Sequence, residues 1–161
     1  MLKNSSLLSQ EEIDFLIKVP VYVTIMVGGA DNELEDIELE WAEKVARFRS
    51  FKSSPELQQY YLEVDKIFSS ELEKMVQNLK NQVKKPREQS KEISEELKRL
   101  NDIFAKLDKE TAEKLYNDFL SFARHVASVS DNLLGMGGIN PDEWEYVRLP
   151  SVKHPAKIHS N

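Results

Sequence analysis

Six of the ten residues from Asp31 to Glu40 are acidic and none is basic. Grouping so many like charges costs self-repulsion unless a cation or free backbone N–H groups offset it. Carboxylates from a loop and from the helix that follows are ligands a hard divalent cation accepts. Asp31, Glu33 and Glu38 are therefore candidate oxygen ligands. A weaker version of the pattern runs from Ser130 to Glu143, where Asp131 and Glu143 are the counterparts. Each stretch passes from an apolar helix through a polar loop into a new helix with a glutamate in its first turn.

The spacing is not that of an EF-hand. Counted from Asp31, the sixth position is Asp36 rather than Gly and the twelfth is Ala42 rather than Glu. The same acids also have a reading without metal. Glu38 in a first turn can bond N–H groups of the preceding loop, and Glu35 and Asp36 favour the positive end of the helix dipole. Both readings stay open at this point.

Other chemistry is thinly represented. There is no cysteine, which removes disulfides, thiol catalysis and Cys-type zinc sites. His125 lies in a helix, and His154 and His159 fall in the last eleven residues, where they are candidates for adventitious zinc or nickel. No phosphate loop, dinucleotide fingerprint or nucleophile elbow is present. A net charge of −6 argues against a nucleic-acid partner, because phosphate contacts need clustered Lys and Arg. Lys80, Lys84, Lys85, Arg87 and Lys91 surround Pro86 and read as a solvated connection.

The elements that must position these residues read as helices throughout. Ser9 and Glu12 form a capping box. The helix they open carries Ile13, Leu16, Val19, Val23 and Val27 inward, meets a kink or break at Pro20, and ends at Gly28-Gly29 in a left-handed turn. The apolar run from Val19 to Ala30 is too short to span a membrane and reads as a buried core helix.

The next helix starts near Glu35 and presents Ile37, Trp41, Val45 and Phe48 on one stripe, with core as the default place for its aromatic residues. Pro55 opens a helix with a break expected at Ser69-Ser70. A helix with Ile93, Leu97, Leu100, Phe104 and Leu107 follows, then one with Ala112, Leu115, Phe119, Phe122 and Val126. Asn140-Pro141-Asp142-Glu143 is a compact helix start, with Pro141 first and Glu143 third. No alternating pattern of useful length appears, so the fold class is all-α: an irregular globular bundle of about six to seven helices.

Ala30-Asp31-Asn32-Glu33-Leu34-Glu35-Asp36-Ile37-Glu38-Leu39 resembles the signature of TerB-like, tellurite-resistance-type helical domains, with Asn32 where glycine is usual. Asn132-Leu133-Leu134-Gly135-Met136-Gly137-Gly138-Ile139, running to Glu143, is similar to a related bacterial pattern, with Met136 in place of an aromatic residue. The resemblance implies two pseudo-equivalent helical halves, a role in bacterial stress response, suspected metal binding by the conserved acids, and partners that include membrane-associated complexes. The recurrence of Asp31-Asn32 at Asp131-Asn132 agrees with two halves.

From these features we expect one domain over residues 1–150 and a basic, loose tail over 151–161. The N-terminus lacks a signal-peptide pattern, so a cytoplasmic location is the default expectation. The expected function is a non-enzymatic stress-response module that binds a divalent ion (Ca, Mg, Mn or Zn) through Asp31, Glu33, Glu38, Asp131 and Glu143 and docks another protein. The alternative is a metal-independent interaction module whose acids are helix caps.

Overall fold

A computed structural model describes residues 5–30, 34–134 and 141–160, with side chains for all of these except 129–134. After a 3-10 turn at Ser5–Leu7, the helices are α1 (Gln10–Gly28), α2 (Asp36–Lys52), α3 (Pro55–Lys80), α4 (Pro86–Glu96), α5 (Arg99–Lys106), α6 (Lys109–Leu134), α7 (Pro141–Val147) and a single final turn, α8 (Pro155–Ile158). The described residues contain no strand, and none of their helices is long and apolar enough to cross a membrane.

The second half of α1 is the centre of the molecule. Val19, Val21, Val23, Met26 and Val27 are fully buried, because α2, α3, α4, α6 and α7 all pack around this helix. A helix that is apolar on every side needs such a jacket, which accounts for the run from Val19 to Ala30. The capping box forms as expected: Ser9 Oγ accepts from the Glu12 N–H at 3.1 Å, and Glu12 Oε1 accepts from the Ser9 N–H at 3.2 Å.

Several expectations are corrected. Pro20 does not end α1, which continues to Gly28. The turn after it is not left-handed, since Gly29 has φ −90° and ψ −4°. Glycine is needed there for space: a Cβ on Gly29 would lie 3.1 Å from the Ile25 carbonyl oxygen and 3.2 Å from that of Pro86. Ser69 and Ser70 do not break α3, and both are exposed.

The basic connection is partly structure. Pro86 takes the first position of α4, and Gln89 and Ser90 are buried. Ser90 Oγ donates to the Met26 carbonyl at 2.8 Å, and Gln89 Nε2 donates to that of Leu79 at 3.0 Å. The segment expected to be loose after residue 150 is seated on the bundle. Val152 and Pro155 are buried, Asn101 Nδ2 donates to the Ser151 carbonyl at 3.2 Å, and α8 packs on α5 and α6.

Helix α2 is rotated from the expected stripe, of which Val45 is buried and the other three residues are exposed. Ala42, Val45, Ala46 and Ser50 are buried, whereas Ile37, Trp41 and Phe48 are exposed. Small residues on the inner face let α2 lie close to α3 and α6.

Candidate functional site

The two glutamates singled out by sequence occupy equivalent places. Glu38 is the third residue of α2 and Glu143 the third residue of α7. Both side chains belong to residues with no solvent exposure. A glutamate in a first helical turn ordinarily reaches water, so full burial at both junctions sets this pair apart. Proline at the first position of α7 fixes the backbone for helix entry, which is why the Pro141-Asp142-Glu143 start is legible.

The two junctions meet at the C-terminal end of α1. Glu38 Oε2 lies beside Gly28, within 3.5 Å of where a Cβ on that residue would stand. Helix α7 packs against α1 and α6. Arg87, at the start of α4, joins the two sides: its Nε donates to the Ala30 carbonyl at 3.3 Å, and its Nη2 lies 3.4 Å from Asp142 Oδ2. One guanidinium therefore touches the entry to the first acidic loop and the helix that follows the second. Ser90 and the Pro86 carbonyl hold α4 against Gly29, which keeps Arg87 in that position.

Arg87 is not legible in the sequence, because it stands in a run of bases with the look of a solvated connection, and its contacts with Ala30 and Asp142 are distant along the chain. The Pro86 and Glu88 helix-start pair was the local signal available.

Of the five candidate ligands, only Glu38 and Glu143 are described; Asp31, Glu33 and Asp131 lie outside the described residues or, for Asp131, outside the described side chains. Asn140, the expected N-cap of α7, lies outside them as well. Among the described residues no group of three or more His, Asp or Glu is placed to hold a metal ion. The donors that are described fit a hard cation by type, as buried carboxylate oxygens, and do not complete a shell by number.

The histidines are used elsewhere. His154 Nδ1 accepts the Ala156 N–H at 3.0 Å as the cap of α8, and His159 Nε2 donates to the Phe104 carbonyl at 2.8 Å. This replaces the picture of two free ligands in a flexible tail.

Ionisation is also perturbed away from the junctions. Burial pushes Asp118 above the usual carboxylate range despite Arg49 beside it, and burial pushes Tyr60 and Tyr61 well above the usual phenol value. Asp118 accepts from both Arg49 and the Tyr61 hydroxyl. This network ties α2, α3 and α6 together inside the core.

No family model, curated protein or solved structure matches the chain.

Proposed function

We propose that this chain is a non-enzymatic helical module with a divalent-cation site at its paired acidic junctions, where binding orders a surface for a protein partner. Glu38 and Glu143 would supply oxygen ligands, with Asp31, Glu33 and Asp131 completing the set. The observation that supports this most is the matched, complete burial of Glu38 and Glu143 in the first turns of two helices that pack on α1. Withdrawing two carboxylates from water is costly, and the sequence around Glu38 adds further acids. A stress-response role of the tellurite-resistance kind rests on the motif resemblance alone.

Arg87 favours a second reading. Its guanidinium already brings positive charge to the Ala30–Asp142 side of the junction, and the first turn of a helix stabilises an acid without metal. In that reading the glutamates are structural and the chain is a metal-independent interaction module.

Isothermal titration of the chelator-treated full chain with Ca²⁺, Mg²⁺, Mn²⁺ and Zn²⁺ separates the two. The cation reading expects saturable binding that Glu38→Gln or Glu143→Gln abolishes while circular dichroism stays helical. Absence of binding by all four ions, or binding unchanged in both variants, removes it. The structural reading then expects each substitution to cost about 0.5–2 kcal/mol of stability through lost capping.

A further inference from the structure

The outer face of α2 has no part in the cation reading. Ile37, Trp41, Phe48 and Phe51 follow one another at spacings of four, seven and three residues, which places them on one stripe along the helix. They are 42%, 39%, 60% and 64% exposed, a concentration of apolar surface that isolated surface residues do not produce. Lys44 lies on the same stripe with Lys52 and Glu40 at its two edges, and all three are exposed.

Beside the stripe, α2 meets α6 along a groove of about 540 Å³ lined by Trp41, Lys44, Val45, Phe48, Lys52 and His125, among others. Its wall is fixed. Trp41 Nε1 donates to the His125 carbonyl at 2.8 Å, and Arg49 Nη2 bonds His125 Nδ1 at 2.9 Å. A ring held this way forms a preorganised surface and loses little freedom on binding.

We propose that this groove docks an amphipathic helix of a partner protein that carries acidic residues beside its apolar anchors. A groove with an apolar lining and a polar rim suits anchors at helical spacing. Lys44 and Lys52 are eight residues apart, about 12 Å along the axis, so acids two turns apart on the partner meet both. In a chain of net charge −6 this basic rim is a local exception, and it selects the sign of what binds.

The groove lining carries Lys44, Arg49 and Lys52 and no carboxylate, which favours an acidic partner helix; a bilayer and a second copy are outcomes of the test. The proposal is independent of whether the acidic junctions bind a cation.

The test uses the full chain and a fluorescein-labelled peptide of about sixteen residues, long enough to form a helix on docking. The peptide carries Leu and Phe at anchor spacing with Glu flanks, and a control carries Lys flanks. Fluorescence polarisation is expected to show saturable binding of the Glu-flanked peptide. Phe48→Ser or Ile37→Ser is expected to weaken it about tenfold or more. The Lys44→Glu/Lys52→Glu variant is expected to turn the preference over to the Lys-flanked peptide. All four positions are exposed, so thermal melts are expected to match the wild type.

No binding, or equal binding of the two peptides, overturns the proposal. Binding to phosphatidylglycerol vesicles that Phe48→Ser abolishes, in place of peptide binding, assigns the face to a membrane surface. A dimer in sedimentation velocity that the same substitution dissociates, again in place of peptide binding, assigns it to a second copy; either result overturns the partner-helix proposal.

Discussion

The Tyr60 hydroxyl donates to the backbone carbonyl of Leu16 at 2.6 Å. That carbonyl stands four residues before Pro20, which has no N–H to offer it. Leu16 and Tyr60 are both buried, so an unmet carbonyl there would carry its full desolvation cost. Helix α3 thus supplies the donor that α1 lacks, and α1 runs through its proline without ending.

Tyr60→Phe is expected to destabilise the protein by about 1–3 kcal/mol in urea unfolding, since it leaves the Leu16 carbonyl unsatisfied. In a Pro20→Ala background the residue at 20 regains its N–H and can bond that carbonyl. The cost of Tyr60→Phe should then fall by about 1 kcal/mol. Equal costs in the two backgrounds would show that the hydroxyl does not compensate for the proline.

Gly29 and Gly28 are expected to respond differently to alanine. A Cβ on Gly29 meets two backbone oxygens and Ser90 Oγ at 3.1–3.2 Å, and backbone yields poorly. Gly29→Ala should cost about 1–3 kcal/mol and loosen α4, which carries Arg87. A Cβ on Gly28 meets the ends of the Leu34 and Glu38 side chains at 3.2 and 3.5 Å. These can shift, and alanine within a helix gains about 0.5–1 kcal/mol over glycine, so Gly28→Ala should be nearly neutral. Comparable thermal melts for the two variants would contradict the packing at the end of α1.

Features carried by neighbouring residues were legible in the sequence. The Ser9–Glu12 box, the Pro141-to-Glu143 start and the inward faces of α1 and α6 follow from chemistry within a few residues. What was not legible depends on contacts between distant segments. Pro20 breaks a helix unless a donor comes from elsewhere, and Tyr60 is forty-four residues from the Leu16 carbonyl that it meets. The stripe of Ile37, Trp41, Val45 and Phe48 shows a period without saying which side meets the core, and of the four only Val45 is buried. Burial of Ala42, Ala46 and Ser50 decided that, because small residues permit close helix approach. Glu38 and Glu143 were identified by type and register, and their complete burial became visible only once α1, α6 and α7 were placed.

The Arg49–Asp118 pair should behave as a buried ion pair, with side chains 11% and 8% exposed. The guanidinium also lies 5.8 Å from the Tyr61 ring and 5.6 Å from that of Phe122. Removing one charge strands the other, so Arg49→Met or Asp118→Leu alone should cost about 3–5 kcal/mol. The double variant should cost clearly less than the two together, because neither charge is left behind. Additive costs in urea unfolding would mean that the two residues are not coupled.

His125 should make stability depend on pH in the mildly acidic range. Its Nδ1 faces the Arg49 Nη2 at 2.9 Å, and a guanidinium only donates, so Nδ1 accepts and the ring proton sits on Nε2. Burial lowers the affinity of the imidazole for a second proton, Arg49 lowers it further, and Asp118 opposes them. The folded ring therefore protonates below the ordinary value of 6.5. At pH above 6.5 the ring is neutral in both states and contributes no slope. As pH falls below that value the unfolded chain takes the proton first, so stability falls until the lowered folded value is passed. Asp118 runs the opposite way: its raised value means that the folded state binds the proton first, which adds stability as pH falls through the range just above 3.8. Comparison of wild type with His125→Gln, whose amide oxygen can still accept from Arg49, isolates the histidine contribution. The wild type should lose more stability than His125→Gln between pH 7 and pH 5.5 in urea unfolding, and parallel pH profiles would show that the ring does not titrate against Arg49.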